Sequence, residues 1–258
     1  MSEKILYGIY FFPGVAMYRV EVLEQLVGVL SRADGLEPQT WGMSENARLP
    51  FDGDELVARM SADAPGLKQA HLHRRSAIAY GAYFDNGERP TFRLSARAAY
   101  SRVTFQAICD LADRLAAVVQ PTYGTVHVFP APREPWESEA ERLHLWMDFA
   151  AQAQPRVLNR NGPPGLGIHT YFGGAMLDFV GRETLASTPA HQVAMPGGGV
   201  RLDLIGPDME PDTATVLPRW HEAMAHLVRA GAVALPDFPE DREVVKFLPA
   251  VRWKDRAR

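Results

Sequence analysis

The chain has 258 residues, with 27 Lys and Arg against 31 Asp and Glu, which gives a formal net charge of −4. This small acidic excess offers no electrostatic reason to expect nucleic-acid binding, which usually needs a basic face. Hydrophobic residues make up 47% of the chain and charged residues 22%, so the composition is that of a folded globular protein and not of a disordered one.

The single cysteine, Cys109, excludes an intrachain disulfide framework and a multi-cysteine zinc site. No apolar run approaches the ~18 residues that a membrane-spanning helix needs. The N-terminus lacks a basic segment followed by a small-residue cleavage site. We therefore expect a cytoplasmic protein with no membrane association.

The first half of the chain alternates strand and helix patterns. An aromatic strand over residues 4–12 is followed by an amphipathic helix over 18–33 and a short helix from Asp52 to about Met60. Strands over 75–84 and 91–99 form a predicted hairpin around the Asn86-Gly87 step, because these two residues readily adopt the positive φ of hairpin turns. The pattern therefore predicts a sheet with helices packed on it.

In the second hairpin strand, apolar residues alternate with polar ones. Phe92, Leu94 and Ala96 should form a buried face, whereas Arg93, Ser95 and Arg97 should form an exposed face. The next predicted helix, over 103–119, carries one apolar stripe with five members: Phe105, Ile108, Leu111, Leu115 and Val118.

The second half repeats the strand and helix order. After a strand over 123–129, the sequence predicts a Pro-rich linker over 130–135, a helix over 137–153, strands over 166–172 and 200–205, and a long helix over about 213–230. Together the patterns predict an α+β fold, a mainly antiparallel sheet with amphipathic helices packed on it. We expect a single domain over 1–258, in which similar lobes over 1–129 and 137–258 are joined by the linker.

Motifs for catalysis and cofactor binding are absent from the sequence. It contains no G-x-S-x-G nucleophile elbow and no P-loop. His221 and His226 are five residues apart, so on a helix their rings point ~140° away from each other and do not form a zinc-protease pair. If residues 67–73 form a strand, His71 and His73 share a face, but the neighbouring Arg74 and Arg75 would repel a cation. We expect no metal, no cofactor and no catalytic residues.

A small metal-dependent or acid/base hydrolase is the alternative. It would use histidines together with an aspartate, and at least three of these side chains would have to converge in one pocket. The residues considered are His127, His144, His169, Asp178 and Asp203.

Two acidic stretches suggest a docking surface for a basic protein. The first lies around Trp136, and the second runs from residue 203 to residue 212 with four acids and no base. Acidic side chains accelerate encounter with a basic partner, and an exposed aromatic residue can anchor the contact. The predicted partner-binding residues are Trp136, Glu137, Glu139, Asp208, Glu210 and Asp212.

The order of elements resembles the immunity protein 52 family of bacterial polymorphic-toxin systems, and it is similar to type VI immunity families. The likeness covers most of residues 5–234 and depends on YGIYFF, FDGDELVARM, FRLSARA, PTYGTVHVF, LGIHTYFGG and VRLDLI. It implies a cytoplasmic antidote without enzymatic activity that binds a cognate secreted toxin, often a nuclease. It implies no contact residues, because contacts differ between toxin pairs.

Overall fold

The structure, a computed structural model, describes residues 4–61, 69–87, 90–129, 161–206, 208–237 and 246–252. The chain divides into two compact units, Met1–Gly124 and Thr125–Arg258. The predicted linker over 130–135 and the predicted helix over 137–153 lie outside the described residues.

The first unit is an antiparallel sheet with three helices. Its elements in chain order are β1 (Lys4–Phe12), α1 (Val20–Ser31), β2 (Thr40–Gly42), β3 (Leu49–Pro50), α2 (Gly53–Ser61), β4 (Gln69–Arg74), β5 (Ala79–Asp85), β6 (Thr91–Ala99) and α3 (Arg102–Val119). The strands lie in the order β3-β2-β4-β5-β6-β1. The five pairings among these six strands are all antiparallel.

One face of this sheet is buried under the helices. Leu72, Phe84, Leu94 and Ile9 all lie on it and are fully buried. The Tyr80 hydroxyl crosses to the helical layer and donates to the Leu36 carbonyl oxygen at 2.8 Å. The predicted stripe of α3 is confirmed, since Phe105, Ile108, Leu111 and Leu115 are buried and Val118 is half-buried.

Local interactions determine where α3 begins and ends. Ser101 caps its start, because the Ser101 hydroxyl accepts a hydrogen bond from the Thr104 backbone N–H at 3.0 Å. Gln120 ends it in the left-handed conformation, with φ of 43°.

The predicted hairpin is confirmed. Asp85 lies opposite Thr91 at the paired ends of β5 and β6. The Asp85 carboxylate accepts a hydrogen bond from the Gly87 backbone N–H at 2.6 Å, which fixes the first residues of the loop.

The second unit also combines strands with helices. Strand β7 (Tyr123–Phe129) begins at the end of the first unit, and the elements that follow are β8 (His169–Phe172), α4 (Gly174–Val180), α5 (Arg182–Ala186), β9 (His191–Ala194), a 3-10 turn (Pro196–Gly198), β10 (Val200–Asp203), α6 (Thr213–Arg229), β11 (Leu235–Asp237) and β12 (Lys246–Leu248). Strand β10 pairs antiparallel with β8 and β9. Strands β11 and β12 form a separate antiparallel pair.

Helix α6 contributes much of the core of the second unit. Trp220 is buried, and its indole N–H donates to the Leu166 carbonyl oxygen at 3.0 Å. Gly231 lies just beyond the helix with φ of 66°, a conformation that glycine adopts without strain.

The α+β fold is therefore confirmed, with antiparallel sheet and amphipathic helices. Three strands are shorter than predicted, because β5 begins at Ala79, β8 begins at His169 and β10 ends at Asp203. In the described part of the chain, no helix combines the length and the apolar character needed to cross a membrane.

Candidate functional site

The predicted partner-binding residues divide into two groups. Trp136, Glu137 and Glu139 lie outside the described residues. Asp208, Glu210 and Asp212 are described, and all three are exposed; we call these three residues the acidic loop.

Asp212 also has a structural role. It is the N-cap of α6, and its carboxylate Oδ1 accepts a hydrogen bond from the Thr215 backbone N–H at 2.7 Å. A carboxylate at this position satisfies an otherwise unpaired N–H and interacts favourably with the helix dipole. Asp212 therefore supports the helix whether or not a partner touches it.

Two of the residues considered for a hydrolase lie close together. The His169 Nε2 atom is 3.7 Å from Oδ1 of Asp203 across the β8–β10 pairing. Asp203 is held more tightly by Arg201, since the guanidinium donates to both carboxylate oxygens at 2.6 Å and 2.7 Å. All three side chains are largely buried. A buried carboxylate in a bidentate ion pair is already compensated, so this arrangement is that of a structural ion pair.

The other residues of that alternative have different surroundings. His127 on β7 is fully buried, and its ring packs edge-on against Phe129 with centroids 4.1 Å apart. Burial lowers the pKa of His127 to about 3, so the ring is neutral at neutral pH. Asp178 is exposed on α4, and His144 lies outside the described residues.

Within the described ranges, no three His, Cys, Asp or Glu side chains are grouped so that they could hold a metal ion. His71 and His73 do share one face of β4, as the strand spacing requires. Burial lowers the pKa of both imidazoles, and the nearby Arg48 guanidinium lowers them further. Both rings are therefore neutral at pH 7 and serve as polar aromatic surface.

These histidines belong to a larger surface on the first unit. The residues of β4, β5 and β6 that alternate with the buried ones point away from the helices, and they are exposed or half-buried. We call this surface the open face; it comprises His71, His73, Gly81, Tyr83, Arg93, Ser95 and Arg97.

Strand register arranges the open face in rows. His71, Tyr83 and Arg93 lie side by side across β4, β5 and β6. The rings of His71 and Tyr83 are in contact, with centroids 5.0 Å apart. The Tyr83 hydroxyl donates to Asp85 at 2.8 Å, and the pKa of Tyr83 is raised to about 12, first by burial and then by this bond. This row is therefore a fixed aromatic and cationic ridge.

The neighbouring row contains smaller side chains. It consists of His73, Gly81 and Ser95, and on β1 it continues to Gly8. The Tyr10 ring lies over Gly8, where an added Cβ would be only 2.5 Å from the ring and would push it aside. The Tyr10 hydroxyl also lies 3.4 Å from the Ser95 hydroxyl. Tyr10 therefore covers the β1 end of this row, and Gly81 lies at its exposed part.

Sequence reasoning found only part of this surface. The alternation in β6 predicted that Arg93, Ser95 and Arg97 would point outward, and they are exposed or half-buried in the structure. It did not predict that His71 and Tyr83 would lie on the same surface, because the alternation within one strand does not show which other strands pair with it. The useful signal was the spacing of His71 and His73, which placed both on one strand face.

Solved structures include a protein with a similar fold over most of this chain. The chain is similar to the Pseudomonas aeruginosa T6SS protein PA0821, with a TM-score of 0.51 and 14% sequence identity over 88% of this chain and 73% of that chain. At this identity the likeness shows a shared fold. No protein-family model matches the sequence, and no curated protein matches it.

A second similarity is weaker. It is to a chain of the complex between the toxic C-terminal tip of CdiA from Pseudomonas aeruginosa and its immune protein. The TM-score is 0.31 and the identity 11%, over 50% of this chain and 89% of that chain. A TM-score at this level does not establish a common fold.

Proposed function

We propose that this protein is a cytoplasmic immunity protein that binds and neutralises a cognate secreted bacterial toxin and has no enzymatic activity of its own. The observation that carries the proposal is the fold shared with a T6SS protein over 88% of the chain. The sequence resemblance to the immunity protein 52 family agrees with it. Both support a role for this protein in a bacterial type VI secretion or polymorphic-toxin system.

The chemistry of the described residues favours binding over catalysis. Asp203 is compensated by Arg201, and His127 is fully buried. The acidic loop and the open face are accessible surfaces of the described residues, and they carry different charged side chains. Accessible charged and aromatic side chains on a well-packed scaffold are what recognition of a protein partner requires.

A nuclease is the toxin class that fits the acidic side chains best. A nuclease surface that holds phosphates is basic, and opposed potentials speed encounter and exclude wrong partners. On this proposal the acidic loop, together with Glu137, Glu139 and the aromatic anchor Trp136, lies near or within the toxin interface.

The decisive experiment is co-expression with the toxin encoded beside this gene. Expression of the full chain should restore growth of a bacterial host that produces the toxin. A toxin from an unrelated locus is the control, and it should still arrest growth. The purified proteins should bind with a Kd below micromolar, which is stronger than about −8 kcal/mol. Continued growth arrest, with no binding at micromolar concentration, would rule the proposal out.

Stoichiometry separates an inhibitor from an enzyme. An inhibitor abolishes toxin activity in a titration that ends at about one immunity protein per toxin. A hydrolase that destroys the toxin or its product would act at far lower ratios, and its effect would grow with time. Protection at a ratio well below one would therefore favour the hydrolase alternative.

A further inference from the structure

Strand β9 of the second unit is paired on one side only. It is the last strand in the order β8-β10-β9, and among the described residues it pairs with β10 alone. Three of its four residues are exposed, and the fourth, Val193, is half-buried. We call the side of β9 that points away from β10 the β9 edge. An unpaired strand edge presents backbone N–H and C=O groups that another strand can bind.

The register of β9 shows which backbone groups lie on the β9 edge. The Met195 N–H donates to the Gly199 carbonyl oxygen at 2.9 Å, so these two residues form a hydrogen-bonded pair. Bonded and non-bonded pairs alternate along antiparallel strands, which makes Val193 the next residue that bonds to β10. Gln192 and Ala194 therefore direct their N–H and C=O groups away from β10, onto the β9 edge.

A hydrogen bond on the other side of β10 agrees with this assignment. The Leu204 N–H, just after β10, donates to the Ile168 carbonyl oxygen at 2.9 Å, so even-numbered residues bond towards β8 and odd-numbered residues towards β9. In the described part of the chain, no hydrogen bond reaches the backbone N–H or C=O groups of Gln192 and Ala194. These groups are therefore available to a partner.

The β9 edge carries no charge that would oppose a second strand. No Lys, Arg, Asp or Glu occurs between Glu183 and Arg201. Proteins often protect an exposed edge with a charged residue or a proline inside the strand, and β9 contains neither. In the first unit, by contrast, the edge strand β3 has only two residues and one of them is Pro50. The β9 edge thus lacks the residue types that prevent pairing with another chain.

The β9 edge also begins near the acidic loop. His191, the first residue of β9, lies opposite Asp203, the last residue of β10. Asp208 follows Asp203 by five residues, so their backbones are at most ~18 Å apart. A partner with an interface of ordinary size can therefore contact the acidic loop and the β9 edge together.

We propose that the β9 edge receives an extended segment of the cognate toxin, which adds to the sheet as a further strand. This inference rests on the proposed immunity function and makes its interface more specific. The partner is defined by the chemistry of the edge, because an extended backbone matches the ~7 Å repeat of the groups on Gln192 and Ala194. The acidic loop attracts the basic surface of the same toxin and brings the segment to β9.

Amide hydrogen exchange, resolved by residue with NMR, tests the β9 edge directly. In the free full-length chain, the amides of Gln192 and Ala194 should exchange quickly and that of Val193 slowly, because only the last is bonded to β10. Addition of the toxin encoded beside this gene should slow the exchange of the two edge amides by about a hundredfold or more. Unchanged exchange of these amides in the complex would overturn the proposal and leave the immunity function intact.

Two variants at one position measure what the edge contributes to affinity. Ala194→Pro removes the outward N–H and places a ring on the β9 edge, where a proline breaks no internal hydrogen bond. Ala194→Val is the matched control, since it keeps the N–H and suits a strand. Ala194→Pro should lose about tenfold or more in toxin affinity, and Ala194→Val should stay within about threefold of wild type. Equal affinities of the two variants would contradict strand addition.

The remaining outcomes separate this proposal from the immunity function. Slow exchange of the two edge amides in concentrated free protein, which becomes fast on dilution, would mean that β9 pairs with a second copy of this chain and that the assignment to the toxin is wrong. If the wild type neither binds the toxin nor restores growth, both proposals fail. Binding by the wild type without slower exchange at the β9 edge removes only the strand addition.

Discussion

The open face and the acidic loop are surfaces of opposite charge that are built in different ways. The open face takes its residues from three strands, and β-sheet register brings them together. The acidic loop takes its residues from one short segment, and Asp212 is fixed by its own helix. A surface built by register depends on the whole sheet, whereas a loop surface depends only on local geometry. Changes to the underlying structure should therefore affect the two surfaces unequally.

The largest effect should come from the buried side of β6. Leu94 is fully buried between the outward-pointing Arg93 and Ser95. Leu94→Ala should lower the free energy of unfolding by about 2–5 kcal/mol, because it removes buried methyl groups and leaves a cavity. Denaturation with urea measures this loss. Ser95→Ala, on the exposed side of the same strand, is the control and should stay within about 0.5 kcal/mol of wild type.

The same variant tests whether the open face depends on the sheet beneath it. Leu94→Ala should loosen the packing beneath the open face, so backbone amide hydrogen exchange should become faster in β5 and β6 and stay unchanged at the start of α6, where Asp212 caps the helix. An unaltered free energy of unfolding in Leu94→Ala would mean that β6 does not support a packed core.

The second effect is the loss of stability in acid that arises from His127, a buried residue of the second unit. The pKa of His127 is lowered from its ordinary value of 6.5 to about 3 by burial. Between these values the unfolded chain binds a proton at His127 that the folded chain does not bind. Stability is therefore fully present above pH 6.5 and falls as the pH falls towards 3, by at most about 1.4 kcal/mol per pH unit.

Urea denaturation between pH 7 and pH 5 measures this dependence. His127→Phe removes the titrating group. Its free energy of unfolding should fall by about 2 kcal/mol less than that of the wild type over this range. Val126→Ala, at a buried position on the same strand that leaves His127 in place, is the control and should keep the wild-type slope. Equal slopes for wild type and His127→Phe would show that His127 does not titrate as a buried neutral ring.

Much of the fold was readable from the sequence because its elements have strong periodic patterns. Helix α3 and strand β6 show the helical and alternating patterns clearly, and both lie where they were predicted. Strand β2 and strand β9 were not predicted, since three and four residues are too few to show a period.

The two candidate surfaces also differ in how far they can be predicted from the sequence. The acidic loop is visible in sequence because its charges are neighbours in the chain. The open face is not, because His71 and Arg93 become neighbours only through Tyr83, which pairs with both. A single sequence shows which side of a strand a residue occupies but not which strand lies beside it.

The third effect separates the structural role of the acidic loop from its charge. Asp212→Ala removes the oxygen that accepts from Thr215 N–H and should cost about 0.5–2 kcal/mol of unfolding free energy. Asp212→Asn keeps a capping oxygen but removes the charge, so it should remain close to wild type. Thermal and urea denaturation of the two variants provide the measurement. A large loss in Asp212→Asn would mean that the carboxylate charge, and not the cap, stabilises α6.

The smallest effect should come from the histidines of the open face at neutral pH. The pKa of His73 is lowered by burial, then by Arg48, His71 and Arg75, while Glu45 raises it. The ring is therefore uncharged at pH 7 in the folded protein. Because His73 is only half-buried whereas His127 is fully buried, solvent reduces the effect of this pKa shift on stability. His73→Gln should therefore change the free energy of unfolding at pH 7 by less than about 0.5 kcal/mol.

Acid should reveal the titrating group. The unfolded chain binds a proton at His73 more readily than the folded protein does, so the contribution of His73 to stability is present above its unfolded pKa and is lost as the pH falls through its lowered folded pKa. His73→Gln should make the fall in unfolding free energy between pH 7 and pH 5 shallower, but by less than His127→Phe does. Urea denaturation at the two pH values measures both slopes, and Ser95→Ala, on the same face and without a titrating group, should keep the wild-type slope. A fall as shallow in His73→Gln as in His127→Phe would mean that the half-buried ring is shielded from water as fully as the buried one.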